Sequence, residues 1–501
     1  MKDKMLKLKE MIHEICDINS AIALLGWDQQ TYMPRGGAED RAFQTSTLSH
    51  ISHIKSTSQE LGTLIAELKN SLDGMAPDSD DACLIKVAAR EYDKKTKVPA
   101  KFVAKFSELT AMAQTVWEEA REKSDFKIFQ PYLEKIVAMQ KEYASFFPPS
   151  AHVYDILLDD FEPGLKTADV KKIFGELRTT QVELIRAVSE RKQINDSFMR
   201  QDFDEKKQWD FGVHVISAFG FDWSKGRQDK SAHPFTTGFG LGDTRITTRF
   251  LPDYLASSLF SSMHECGHAL YEQGIDRKLD RTFLGTGASL AVHESQSRLW
   301  ENIIGRSMDF WIHFYPELKK YFPSQLSGVS LQDFYRGINR VQPSLVRVES
   351  DEATYNLHVM LRFEIEIGLM EGTLDVKDLP EIWNVKMKEY LGVSPENDAE
   401  GVLQDVHWSY GSIGYFPTYT LGNLVSAQIW ECLERDIPGL HENIRNGKFE
   451  EILQWLREKL HRHGSKFKPQ ELVKRVTGSE ITPAPYLRYL DGKYKEIYGI
   501  V

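Results

Sequence analysis

The sequence predicts a mainly α-helical chain carrying one small antiparallel β-sheet, and three observations support that class. Apolar residues recur every three or four positions over most of the chain, as in "FVAKFSELTAMAQTVWEEAREK" at 102–123, which gives a helix one apolar face. Between Phe219 and Phe250, short aromatic- and Thr-rich runs alternate with Gly and Asp-Lys turns, the pattern of a small sheet. From Pro252 the helical period resumes and lasts almost to the end.

The elements follow in order. Met1 to about Lys192 reads as long amphipathic helices, broken at "MPRGG" (33–37), "MAPDSDD" (75–81), "KVPAK" (97–101) and "FFPPS" (146–150), where Pro and Gly interrupt helices. None of these breaks is long enough for a flexible linker, and no fixed-period repeat or low-complexity tract is present. The expected organisation is a single unit over 1–501, with the sheet region at 219–250 and the chemistry-bearing segments at 252–423. With 41 % hydrophobic and 27 % charged residues among 501, the chain can bury a deep site.

Charge and cysteine usage exclude several classes. A formal charge of −11 argues against general affinity for nucleic acid, whose partners carry basic faces. The opening "MKDKMLKLKEMIHEICDINS" is charged throughout, unlike a signal peptide, and no run of about 18 apolar residues predicts a membrane span. Cys16, Cys83, Cys266 and Cys432 lie far apart with no CxxC pair, which fits a reducing cytoplasm and neither a disulfide framework nor a thiolate metal site.

The chemistry concentrates in "SSMHECGHALYEQG" at 261–274. One helical turn offsets His264 and His268 by about 40°, so both imidazoles can meet one ion, while Glu265 sits beside them as a base for the water the metal activates. Pro252 and Asp253 suit the first turn of that helix, and Gly274 can end it. Glu294 and Glu301 on the next helical segment are both candidates for the third ligand. They are about 10 Å apart along a helix axis, so only one can reach a given ion; His293, about 100° from Glu294, is disfavoured.

A hydrolytic metal site also needs donors for an oxyanion and groups that orient substrate. "GVLQDVHWSYGSIGYFPTYTLGN" at 401–423 offers His407, Tyr410, Tyr415 and Tyr419 among glycines; the alternative is an aromatic loop packed in the core. Arg347, Arg245 and Arg249 are candidate carboxylate clamps, whereas Glu352, His358 and Arg362 read as a structural ion-pair network. "LHRHG" at 460–464 reads as a helix C-terminus favouring positive charge, not a second metal site.

"LLGWDQQTYMPRGGAEDRAFQ", "HPFTTGFG", "DTRIT", "HECGH", "HESQSR", "VRVESDE" and "GVLQDVHW" occur in this order, and together the chain resembles the thermostable carboxypeptidase Taq family of metallocarboxypeptidases over essentially its whole length. The resemblance implies a helical, cleft-divided fold similar to angiotensin-converting enzyme and neurolysin, with the sheet beside the zinc helix. It implies stepwise removal of C-terminal residues from peptides with a free C-terminus, broad side-chain tolerance, Pro disfavoured, and a homodimer. His264, His268 and Glu294 would bind Zn2+, with Co2+ as a substitute, and Glu265 would be general base and proton shuttle. His407 and Tyr415, or Tyr419 in the same segment, would stabilise the oxyanion or orient substrate. Arg347 would hold the terminal carboxylate, with Arg245, Asp243 and His233 also on the substrate side. Ser350-Asp351 stands where the family reads Ala-Asp, a change of one small residue for another. The competing functions are a zinc oligopeptidase that cuts internally and a non-catalytic peptide-binding protein with a structural metal.

Overall fold

A computed structural model describes residues 1–500. Six helices open it: α1 (Lys2–Thr31), α2 (Ala38–Ser56), α3 (Gln59–Lys69), α4 (Asp80–Lys97), α5 (Ala100–Lys123) and α6 (Phe126–Ser145). The four expected breaks each lie between helices or at a helix end, and two further breaks, at 57–58 and 124–125, carry no Pro or Gly to mark them. Ser58, Ser79 and Asp125 begin α3, α4 and α6 by accepting from the N–H groups of Leu61, Ala82 and Lys127, which satisfies donors a helix start leaves free.

The middle of the chain holds α7 (Tyr154–Leu158), α8 (Thr167–Ser189), α9 (Glu205–Phe219), β1 (Gly226–Lys230), β2 (Thr236–Gly238), β3 (Thr244–Thr248), α10 (Leu255–Gly274) and α11 (Leu290–Arg298). Then come α12 (Met308–Tyr321), α13 (Pro323–Leu326), α14 (Leu331–Ile338), α15 (Glu352–Glu371), α16 (Leu379–Leu391) and α17 (Pro417–Asp436). The chain closes with α18 (Leu440–Arg445), α19 (Glu450–Lys459), α20 (Pro469–Thr477) and α21 (Ala484–Tyr498). Among the described residues no helix is long and apolar enough to cross a membrane.

The sheet lies where expected but is mixed, not antiparallel. Its order is β1-β3-β2, with β2 antiparallel and β1 parallel to β3. Burial explains the departure: Thr244, Ile246, Thr247 and Thr248 are all buried, so the last strand takes the centre, where both its edges are paired. The sheet rests on α10 through Gln228, whose Nε2 donates to Thr248 Oγ1 at 2.8 Å and Ser262 Oγ at 3.2 Å. A second departure concerns the start of α10. Pro252 and Asp253 form a turn before the helix, because the Pro252 carbonyl is taken by the Phe203 N–H at 2.7 Å, and the first helical residue is Leu255.

Two hydrophobic cores form. The larger runs from α5 to α21 and encloses Trp300, Trp311 and Trp383. The smaller joins Leu8, Ile12, Leu61, Ile65 and Ile85 of α1, α3 and α4 to Leu241, Ile275, Leu279 and Leu284, so the N-terminal helices pack on the segments that flank the sheet and follow α10.

α11 lies inside the larger core with its N-terminus capped from several sides. Leu290 N–H donates to the Phe161 carbonyl at 3.4 Å, Ala291 N–H to Glu162 Oε1 at 2.6 Å, and Val292 N–H to Ser289 Oγ at 3.2 Å. Burial pushes the Glu162 carboxyl up to about 8 against the pull of the Ala291 N–H. Below its ordinary value of 4.5 both folded and unfolded chains hold this proton. Above it only the folded chain does, so the contribution to stability shrinks as pH rises through about 8. Glu162→Gln is therefore expected to gain stability relative to the parent between about pH 5 and pH 8, by at most about 1.4 kcal/mol per pH unit. Paired unfolding curves across that range check it, and a difference independent of pH counts against a neutral buried acid.

Candidate metal centre and peptide site

His264 and His268 stand one turn apart on α10 with ring centroids 4.9 Å apart. Glu294 comes to them because α11 is packed closely between two helices, each presenting a glycine to it. A Cβ built on Gly267 of α10 would lie 2.6 Å from both the Gln296 carbonyl oxygen and the Ser297 Cα of α11. One built on Gly422 of α17 would lie 2.6 Å from Glu294 Cγ and 3.2 Å from the Ala291 carbonyl oxygen. No side chain fits at either point, so α11 is held between its neighbours at a separation only glycine allows.

The result is a convergence of acceptors. Glu294 Oε2 lies 3.5 Å from His264 Nε2 and 3.4 Å from His268 Nε2, and the ligand atoms of the three residues all lie within 4.8 Å of one another. The opposite ring nitrogens fix the tautomers. His264 Nδ1 meets Glu301 Oε2 at 2.8 Å; a carboxylate only accepts, so Nδ1 carries a proton and neutral His264 points a lone pair from Nε2. His293 Nε2 meets Glu272 Oε1 at 2.7 Å and donates for the same reason, which leaves His293 Nδ1 to accept from His268 Nδ1 at 2.7 Å. Neutral His268 then also points a lone pair inward from Nε2. Two imidazole nitrogens and a carboxylate oxygen facing one another form a donor set that suits a metal cation.

Glu294 offers this cation one oxygen. Its other oxygen, Oε1, accepts from Arg298 Nε at 2.7 Å, while Arg298 Nη1 reaches Glu301 Oε2 at 3.3 Å. Burial opposes the charge on Glu294, yet Arg298 and His264 hold its carboxyl well below the usual range. Burial opposes Glu301 too, but His264 and Arg298 bring it to about 2. His268 is lowered to about 3 by burial. Burial also works against a charge on His264, and the neighbouring Glu294 and Glu301 outweigh it, so its pKa is raised. Spacing left Glu294 and Glu301 as alternatives; α11 continues as a π-helical turn over Leu299–Ile304, which carries Glu301 to the outer nitrogen of His264, and Glu294 alone joins the cluster.

Glu265 is buried beside the two histidines, and burial raises its pKa. Thr236 Oγ1 of β2 lies 2.7 Å from Glu265 Oε2 and 3.0 Å from its carbonyl oxygen, so the edge strand positions this carboxylate. The sequence signals that role only through Thr236's place in "HPFTTGFG".

A second cluster groups Arg347, Arg362, Asp405, His407, Tyr355 and Tyr419. Arg347 is only 4 % exposed; its Nε and Nη2 bind Asp405 Oδ1 at 3.2 and 2.8 Å, and Nη1 donates to Tyr355 Oη at 2.7 Å. Arg362 Nε takes Asp405 Oδ2 at 2.7 Å, as a structural network would. His407 Nε2 meets Tyr419 Oη at 3.2 Å, and burial lowers His407 to about 4, leaving it neutral. Tyr415 is half-buried, its ring 5.2 Å from Phe161 and 5.3 Å from Tyr419.

The remaining candidates lie elsewhere. Asp243 and Arg245 pair with each other at 2.9 and 2.8 Å, and Arg245 stacks between Trp27 at 4.4 Å and Phe239 at 4.9 Å, fastening α1 to the sheet. His233 is exposed ahead of β2. Among the described residues no hydrogen bond or ion pair joins these three to the metal ligands. His461 of "LHRHG" is fully buried, bonded through Nε2 to Gln296 Oε1 at 2.8 Å, and burial holds it well below its ordinary pKa, so it carries no helix-terminal charge.

The whole chain has known relatives. A family profile described as "Carboxypeptidase Taq (M32) metallopeptidase" matches residues 7–494. Thermostable carboxypeptidase 1 of Thermus thermophilus is 40 % identical, covering 98 % of both chains. Carboxypeptidase 1 of Bacillus subtilis is 39 % identical over 98 % of this chain and 97 % of its own. The crystal structure of an M32 carboxypeptidase from Deinococcus radiodurans R1 superposes with a TM-score of 0.97 at 41 % identity, over 99 % of this chain and 100 % of that one.

Gly267→Ala is expected to force α10 and α11 apart, costing about 1–3 kcal/mol and weakening metal binding. Gly492→Ala, where a Cβ meets nothing within 4 Å, is the control and should leave both unchanged or improved. Thermal unfolding and bound metal per chain measure the difference; equal metal affinity in the two variants counts against the close packing as the source of the site.

Proposed function

The chain belongs to the carboxypeptidase Taq (M32) family of metallopeptidases and is a metallocarboxypeptidase; from that premise we propose that His264, His268 and Glu294 bind zinc. On this reading the enzyme removes C-terminal residues from peptides, with broad side-chain tolerance. Two imidazoles and one carboxylate leave a coordination position open, which suits catalytic zinc, with cobalt as a substitute. His264, His268 and Glu294 would hold a divalent metal, which would supply a Lewis acid for the scissile carbonyl and lower the pKa of a water. The observation that carries this reading is the convergence of three acceptors beside a buried carboxylate.

Glu265 is the general base. Held by Thr236 and raised in pKa by burial, it takes a proton from the attacking water and delivers it to the leaving amine. Tyr415 is assigned as the phenol that donates to the developing oxyanion; Tyr419, which links it to His407, and His407 orient the substrate beside it.

Arg347 is assigned to the terminal carboxylate. Asp405 takes its Nε edge and Tyr355 one proton of Nη1, so of five N–H donors one remains on each terminal nitrogen, a fork that matches a carboxylate. Arg347 and Arg362 against the single Asp405 also sum to one positive charge, which a substrate carboxylate neutralises. Asp243, Arg245 and His233 serve the substrate side indirectly, by shaping the sheet and its junction with α1.

We further assign the chain to a single peptidase unit acting as a cytoplasmic homodimer. Four unpaired cysteines, three of them buried, are consistent with a reducing compartment, and sedimentation that finds only monomer at assay concentration removes the dimer.

Glu265→Gln is expected to retain its metal and lose about 10²–10⁴-fold in kcat; unchanged turnover removes Glu265 as the base. Peptides with a free C-terminus should be cut much faster than their C-terminal amides. Equal rates would favour the internally cutting oligopeptidase, which uses the same metal chemistry without a carboxylate clamp.

A further inference from the structure

Tyr355 stands between the two halves of the site. It is the fourth residue of α15, 6 % exposed, on a helix whose first turn is fixed by Asp351 Oδ1 accepting from the N–H groups of Ala353 at 2.9 Å and Thr354 at 3.0 Å. The guanidinium of Arg298 lies over its ring, 4.5 Å from the centroid, and the same guanidinium holds Glu294 Oε1 at 2.7 Å. Its hydroxyl accepts from Arg347 Nη1 at 2.7 Å. One rigid aromatic side chain therefore touches both the cation that orients a metal ligand and the cation assigned to the substrate's last carboxylate.

We infer that Tyr355 is a positioning residue that sets the distance between the metal centre and the terminal-carboxylate clamp, so that the bond cut is the one before the last residue. This rests on the assignment of Arg347 above. Two independent observations support it. The ring face and the hydroxyl are used separately, the face in a desolvated cation–π contact and the hydroxyl as acceptor of a charged donor. Arg347 is also fixed on its other side by Asp405 and over the Tyr419 ring at 4.8 Å, so removing the Tyr355 acceptor frees one end of the fork while the rest stays anchored. Tyr355 touches no reacting atom; it acts through its two arginines.

The test measures KM and kcat for a blocked peptide with a free C-terminus and for its C-terminal amide, in zinc-loaded parent, Tyr355→Phe, Tyr355→Leu and Arg347→Gln. Tyr355→Phe keeps the ring and loses the acceptor. It is expected to raise KM for the free acid about tenfold, with kcat, the amide reaction and bound metal little changed. Tyr355→Leu also removes the face under Arg298 and is expected to lower metal affinity in a chelator competition. The acid-to-amide ratio does not depend on the fraction of active protein, so partial misfolding does not obscure it. If Arg347→Gln loses the preference for free acid and Tyr355→Phe keeps it, or lowers acid and amide equally, the role of Tyr355 is overturned while the clamp stands. If Arg347→Gln keeps the preference, the clamp assignment fails and this inference fails with it.

Discussion

The packing of α11 against α10 and α17 is the constraint on which the rest of the site depends. At Gly267 α10 meets the backbone of α11 directly, and at Gly422 α17 leaves room for the Glu294 side chain itself; the first of these glycines sits inside the His-Glu-x-x-His turn. A helix carries its side chains at fixed angles but says nothing about how far away a partner helix lies. Here that distance is set by backbone contact, and it brings Glu294 within 3.5 Å of both histidines. Capping by Phe161, Glu162 and Ser289 then fixes where α11 starts, and so which of its residues faces the cluster.

Around this contact, buried charge is arranged in pairs that share partners. Arg298 bridges Glu294 and Glu301, Arg306 adds a second cation at Glu301, and Glu301 in turn orients His264. Glu272 orients His268 through His293. Such carboxylates would be costly alone in an apolar core; satisfied in this way they rigidify the ligands and set their tautomers. The second cluster, built on Asp405, differs in carrying one cation more than its anion. That excess, close to Tyr415 and His407, is the observation on which the proposed carboxylate clamp rests.

Several residues show why local reading stopped where it did. Thr236 lies in a quoted motif, but its hydrogen bond to Glu265 spans 29 positions and no local pattern implies it. The angle of His293 on the helix disfavours it as a ligand, and the structure places it against His268 Nδ1 and Glu272 instead. The mixed order of the sheet is not legible locally, because alternation shows that strands exist without showing which one sits in the middle. Pro252 reads as a helix start from local preference, yet a tertiary hydrogen bond from Phe203 holds it outside. His461 reads as a terminal charge until burial against Gln296 and Tyr271 removes the water that would support one.

What the sequence by itself determined is whatever a single element carries: the helical class, the breaks, and the turn that puts His264, Glu265 and His268 on one side. These follow from 3.6 residues per turn and from residue chemistry, both local. Family resemblance extended this to Glu294 as the third ligand. Only the tertiary structure decided that Glu294 and not Glu301 meets the histidines, that Thr236 holds Glu265, and that Tyr355 lies between Arg298 and Arg347. The reason is physical: each of these rests on close packing or on a hydrogen bond between elements distant in sequence, and such distances exist only once the helices have docked.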